Sequence, residues 1–340
     1  MRNNFIHLKI QGIGQTSLFL LFSFFFLLFT SCEVDFSPNA DWQETPVVYC
    51  LLDQDDDTTW VRVERCYLSE GNIYAPAQIA DSINYPEGSL QIALLAIKNG
   101  NVMDSIGFTY TLRQRDEGNF AAGMQPIYYA PTRNRLRDDC FYRLIVRRAV
   151  ADTVIAWAET PLVVKKDNNV ITKPDKVFLP CRVEWRSLSN ARLYQPMLRF
   201  LYCVVNEDET VDTLHLDLNM RDVRGDTLDK YSVELARQSF LSTVYEALKD
   251  DPRKKYYPKI FEVYLNACSE DLNVYLNSIS NGGNIAQAQD IYTNIHGGVG
   301  VFAARRTHIY RRVPGDASDV PGKGLYALLM DLGVGFVPSN

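Results

Sequence analysis

Pro46-Val47-Val48-Tyr49-Cys50-Leu51-Leu52 is a continuous apolar run, and Trp60-Val61-Arg62-Val63-Glu64-Arg65 beyond it alternates apolar and charged residues. Asp53-Gln54-Asp55-Asp56-Asp57 stands between them. The first run suits a buried strand. The second has the two-residue period of a strand with one wet face, and the acidic stretch suits the turn that joins them. The spacing therefore predicts a hairpin, and the same pattern recurs downstream. Leu90 to Ile97 reads as a strand, Asn99-Gly100-Asn101 as a tight turn, and Ser105 to Arg113 as the returning strand. Tyr142 to Val146 and Val154 to Ala158 make a further pair around Asp152, which Thr160 to Val164 continues. Short strands at this spacing, with little helical periodicity, predict an immunoglobulin-like β-sandwich over residues 42–166.

The polar stretch Lys165-Lys166-Asp167-Asn168-Asn169 marks a boundary, after which residues 175–338 read as a second, β-rich domain with one or two inserted helices. Val183 to Trp185 and Leu198 to Val205 are strands, and Asn206-Glu207-Asp208-Glu209 turns the chain into Thr213 to Leu218. The period then changes. Phe240, Leu241, Val244, Tyr245 and Leu248 share one helical face, stopped by Asp250-Asp251-Pro252. Phe261, Val263, Leu265 and Ala267 alternate as a strand. Ser269 stands at an N-cap position before the helical face of Leu272, Tyr275, Leu276 and Ile279. No sequence repeat or low-complexity tract is visible after the N-terminal segment, which argues against a solenoid.

That N-terminal segment carries an address. Arg2 and Lys9 precede the apolar run Leu18 to Phe29, which is shorter than the ~20 residues a helix needs to span a bilayer. Small residues Thr30 and Ser31 then lead to Cys32. A basic start, a short apolar core and a small-residue cleavage site are the marks of a secretory signal. With cysteine at the cleavage point, residues 1–31 read as a lipoprotein signal and Cys32 as the lipid attachment site. Residues 32–41 are polar and acidic and read as a tether. Each methylene of an acyl chain buried in the membrane adds about 0.8 kcal/mol of affinity, so a multiply acylated Cys32 would hold the chain firmly.

Composition narrows the classes of partner. The chain has 340 residues and a net charge of −6; without Arg2 and Lys9 it has 33 basic against 41 acidic residues, a net charge of −8. Such a balance disfavours nucleic acid and anionic membrane surfaces as general partners. Beyond Cys32 there are six cysteines: Cys50, Cys66, Cys140, Cys181, Cys203 and Cys268. An even count in an oxidising compartment permits disulfides. Were the segments around Cys181 and Cys203 a hairpin turning near Arg192, those two would face each other, and they are the expected pair.

No catalytic constellation emerges, and no catalytic residue, metal site or cofactor is expected. Asp53, Asp55, Asp56 and Asp57 lack the spacing of a calcium loop and read as a solvated hairpin tip, as does Glu207-Asp208-Glu209. His296-Gly297-Gly298 resembles the oxyanion loop of some esterases, but no G-x-S-x-G elbow accompanies it, so a tight glycine turn is expected. His215, His296 and His308 match no zinc spacing. Arg305, Arg306, Arg311 and Arg312 read as solvated arginines on an exposed hairpin. Trp42, Trp60, Trp157 and Trp185 lie in strand contexts and are expected in the core.

Three segments together carry a resemblance: Cys32 with its acidic followers, Tyr142-Arg143-Leu144-Ile145-Val146 leading to Ala158-Glu159-Thr160-Pro161, and Tyr292-Thr293-Asn294-Ile295-His296-Gly297-Gly298-Val299-Gly300-Val301-Phe302. With these the chain resembles an uncharacterised Bacteroidota outer-membrane lipoprotein family, a domain of unknown function sometimes encoded near TonB-dependent transporters. The resemblance implies a lipid-anchored protein of the outer membrane, at the cell surface or on the periplasmic face. The lipid anchor, the β-sandwich and the absence of a catalytic constellation point to a non-catalytic role in binding or assembly, and the resemblance adds an outer-membrane β-barrel transporter as the expected partner. A surface enzyme degrading glycans or peptides and an adhesion or scaffold subunit are the alternative readings.

Overall fold

The computed structural model describes residues 44–66, 79–115, 123–165, 171–172, 181–225, 228–258, 260–280, 292–312 and 324–338. The signal, the tether, Cys32 and Trp42 lie outside the described residues. The fold is mostly β. In chain order the elements of the first half are β1 (Pro46–Asp53), β2 (Thr58–Arg65), the short helix α1 (Ala80–Ile83), β3 (Leu90–Lys98), β4 (Asn101–Gly107), β5 (Thr109–Arg115), β6 (Gly123–Pro131), β7 (Phe141–Arg148) and β8 (Thr153–Pro161). The second half holds β9 (Ile171–Thr172), β10 (Cys181–Arg186), β11 (Leu193–Val205), β12 (Val211–Asn219), β13 (Val223–Arg224), β14 (Lys230–Leu235), α2 (Arg237–Leu248), β15 (Lys255–Tyr256), β16 (Phe261–Cys268), α3 (Glu270–Ser280), β17 (Val299–Arg312) and α4 (Gly324–Asp331).

The first half places β1-β2-β6-β5 against β4-β3-β7-β8. Lettered in chain order as A, B, C, C′, D, E, F and G, these are the sheets ABED and GFCC′ of an immunoglobulin-type sandwich. The predicted hairpins are present: Asn99 and Gly100 turn β3 into β4 with positive φ of 51° and 79°, the backbone of a type I′ turn. The expected strand Ser105–Arg113 is instead two strands in different sheets. The chain crosses over at Phe108, which donates its N–H to Ile92 O (3.0 Å) and packs against the core. At the E–F corner the buried hydroxyl end of Tyr142, early in β7, accepts the backbone N–H of Arg137 at 2.6 Å. This is the tyrosine corner of immunoglobulin-like domains.

The second half repeats the arrangement with unrelated sequence. Sheet β14-β10-β9 faces β12-β11-β16-β17, the E-B-A and C′-C-F-G order of the same sandwich type. Trp185, Phe200, Val263 and Leu265 fill its core, together with Phe240, Val244 and Leu248 from one face of α2 and Leu325, Tyr326 and Leu329 from α4. The buried Lys255 ties the chain after α4 to this core. Its ammonium donates to the carbonyls of Asp251, Arg253 and Val334 at 2.6, 2.9 and 3.0 Å, which satisfies all three of its protons.

The hairpin expected between the Cys181 and Cys203 segments does not form. Cys181 lies on β10, opposite Leu235 of β14, whereas Cys203 lies on β11 in the facing sheet, opposite Thr213 and Tyr256. The alternating burial of both segments reflects two sheets packed face to face, not two neighbours in one sheet. The expected pairing loses its geometric basis.

The two sandwiches are joined by one strand. From Val299 to Arg305, β17 runs parallel to β1. From Arg305 to Arg312 it runs antiparallel to β16. The result is a single ten-stranded sheet passing through both halves. The first core is therefore not confined to residues 42–166, because Ile295, Phe302 and Ala304 pack into it.

Candidate functional site at the strand junction

The point where β17 changes partners gathers most of the residues that the sequence marks as chemically interesting. Backbone geometry explains the glycines. Gly300 has φ +114°, and a Cβ there would lie 2.9 Å from Val48 C and 3.0 Å from Val48 N. Gly297 has φ +75°, and a Cβ there would lie 2.5 Å from Ile155 O. Residues with side chains disfavour such φ values, and neither position has room for one. Asn294 then clamps the strand: its Nδ2 donates to Phe302 O (2.7 Å), and its Oδ1 accepts from Phe302 N (3.0 Å). His296 exchanges backbone hydrogen bonds with Trp157 (2.8 and 3.1 Å) and stacks on its indole, ring centroids 4.0 Å apart. The His-Gly-Gly segment is thus a backbone joint, as the expected glycine turn implied.

The acidic and basic clusters, 250 residues apart in sequence, meet here. Asp53 is 3% exposed, not solvated, and its Oδ2 accepts from Arg305 Nε (2.8 Å) and Thr307 Oγ1 (2.9 Å). Asp55 accepts from Thr307 N (3.1 Å) and lies 3.8 Å from Arg306 Nε. Arg306 also donates to Asp138 (3.1 Å) and to Val163 O (3.2 Å), and Gln54 donates to Asp138 as well. Of the expected solvated arginines, Arg311 alone among the described side chains fits that reading: it is exposed, 3.7 Å from Glu262. Buried ion pairs of this kind give registry more reliably than net stability.

Electrostatics at the junction are finely set. Burial pushes the Asp55 carboxyl above the ordinary carboxylate range, opposed by Arg306. Burial lowers the His308 imidazole from 6.5 to about 4, helped by the nearby cations Lys165 and Arg306. Its Nε2 is buried without a hydrogen-bond partner among the described residues. A base whose folded pKa is depressed binds fewer protons folded than unfolded between the two values, so it removes stability as pH falls. We expect stability to decline from pH 6.5 to about 4, with Asp55 contributing in the opposite sense. Denaturant melts across this range should show a flatter pH profile for His308→Gln than for wild type; parallel profiles would show that His308 is not the titrating group.

Other candidates occupy different places. His215 is exposed on β12, 4.0 Å from Asp217. No group of three or more potential metal ligands is present among the described residues. Trp185 is in the core, but Trp60 is 36% exposed beneath the Arg113 guanidinium (4.6 Å) and beside Tyr129 (5.5 Å). Ser269 stands at the expected N-cap position of α3, its carbonyl accepting the N–H of Asn273 (3.1 Å), while its Oγ accepts the N–H of Ala304 (3.1 Å). Cys268 is a buried thiol pushed up to about 12 by desolvation, a setting for inert packing. Sequence reasoning missed Asp138, Asn294 and Thr307. The Thr-Asn pair just before the glycines was the one available signal.

No family model matches the chain, and no curated protein does. A solved structure titled "Cytokine receptor complex - Crystal form 2" aligns over 65% of this chain and 90% of its own length at 13% identity, with a TM-score of 0.17. A score that low carries no argument.

Proposed function

We propose that this protein is a non-catalytic binding or assembly component of the cell envelope, held to the outer membrane through Cys32 and partnering an outer-membrane β-barrel transporter. The observation that carries this reading is the continuous sheet through both sandwiches. It joins the two sandwiches through one strand whose charged junction residues are engaged with one another, as suits a part that presents surfaces. The signal-like residues 1–31 and the acidic tether supply the address, and the resemblance supplies the class of partner. Two measurements test it. Cys32→Ala should abolish incorporation of a labelled fatty acid and release the protein from membranes. Cross-linking in intact cells followed by capture from native membranes should recover a β-barrel protein; repeated recovery of the chain without one would overturn the partnership, and unchanged membrane retention of Cys32→Ala would overturn the anchor.

A further inference from the structure

The outer edge of β12 is paired with no described strand, and its charged side chains are both carboxylates. Natural sheets guard their edges with bulges, charges, short strands or covering segments. The other edges here have such guards. Strand β4 pairs with β3 through a register shift at Ala96/Ile97. Strand β5 carries the basic residues Arg113 and Arg115, which also have partners on β2 and β6. Strand β8 is bridged by His296, β14 opens on Lys230, and β9 has two residues. By contrast, β12 pairs with β11 in unbroken register over nine residues and contains no Lys, Arg, Pro or Gly. No described strand pairs with its other side. Its two carboxylates are held sideways: Asp217 by both ends of Arg199 (2.7 Å each) and Asp212 by Asn206 Nδ2 (2.7 Å).

The hydrogen-bond phase tells which groups are open. Met220 N donates to Pro196 O, and Asn206 N donates to Thr210 O, so even-numbered residues of this strand turn their backbone toward β11. The alternation of an antiparallel ladder then leaves the backbone N–H and C=O of Val211, Thr213, His215, Asp217 and Asn219 facing outward.

We infer that β12 is a self-pairing edge, and that its occupant is the β12 strand of a second copy, antiparallel about a two-fold axis through His215. This register sets all five outward residues opposite one another: Val211 with Asn219, Thr213 with Asp217, and His215 with His215. Thr213 then offers a hydroxyl to the facing Asp217. On the inner side Leu214 (38% exposed) meets Leu216. Within the strand no two like charges stand opposite each other, whereas a two-fold through Asp217 would oppose two carboxylates. The contact closes on itself, the commonest symmetry of soluble oligomers, and it does not depend on the lipid anchor or on the transporter.

The test is cysteine cross-linking of the full-length chain in native membranes. Hydrogen-bonded antiparallel neighbours lie about 5.5 Å apart at Cα, within disulfide reach. Mild oxidation should convert His215→Cys into a disulfide-linked homodimer, while Asn219→Cys and wild type give none. Mass photometry of the detergent-solubilised protein should show a dimer that Leu214→Lys shifts to monomer, with circular dichroism confirming the fold. A monomeric wild type, no self-cross-link at position 215, or a cross-link from 215 to a different polypeptide would overturn self-pairing.

Discussion

Gly300→Ala is expected to abolish the tight seating of β17 on β1 and to lower stability by about 3 kcal/mol or more. Two costs combine. A non-glycine residue at φ +114° carries roughly 1–3 kcal/mol of backbone strain. The added Cβ also points at the Val48 peptide, part of a parallel ladder that runs from Val47 to Asp53. A backbone neighbour cannot swing aside as a long side chain can, so the ladder itself must open, and with it the contact of Phe302 with the first core. Urea denaturation of the two proteins measures the difference. Gly88→Ala, also at positive φ but in open space, is the control for strain alone and should cost less. Equal losses for the two variants would mean that the close approach at Val48 has no energetic weight.

The second large effect comes from the ion pair at the same place. Arg305→Met keeps the aliphatic stem and removes the charge, leaving the Asp53 carboxylate buried with Thr307 Oγ1 and the Asp55 backbone N–H as its remaining donors. Removing one partner of a buried pair costs about 3–5 kcal/mol. The lower end is expected here, because Arg305 keeps about a third of its side chain in solvent. Asp53→Asn combined with Arg305→Met should recover much of that loss, since no buried charge is then stranded. A double-mutant cycle reads the coupling directly; additivity within about 0.5 kcal/mol would show that the two side chains do not act as a unit.

Both effects converge on a joint whose parts were visible in the sequence as isolated features. The Asp53–Asp57 stretch, the glycines after His296 and the arginines after Ala304 each stand out locally. Each also admits a plain local reading: a polar tip, a turn, a wet hairpin. Asp53 defeats that reading because a second strand arrives from 250 residues away and covers it. Ser269 is a similar case. Its position before a helix argues for a cap, and it holds that position, yet the passing β17 backbone takes its hydroxyl. The Cys181–Cys203 expectation failed for a related reason, since period-two burial looks the same for neighbours in one sheet and for strands in two facing sheets. The repeated sandwich was equally invisible, because a fold can recur without any recurrence of residues when only the alternation and strand order are kept.

What the chain determines by itself is everything that depends on neighbours within a few residues. Alternation in Trp60–Arg65 and Phe261–Ala267 makes strands, Asn99-Gly100 makes a hairpin turn, and the spacing of Phe240, Val244 and Leu248 makes a helix, since side-chain direction follows backbone period. What only the tertiary structure decided is partnership: β1 beside β17, Asp53 beside Arg305, one sheet in place of two separate domains. Strand periodicity states which face a residue turns to, but any strand of matching pattern offers the same hydrogen bonds, and the choice among them is made by the packing of the whole.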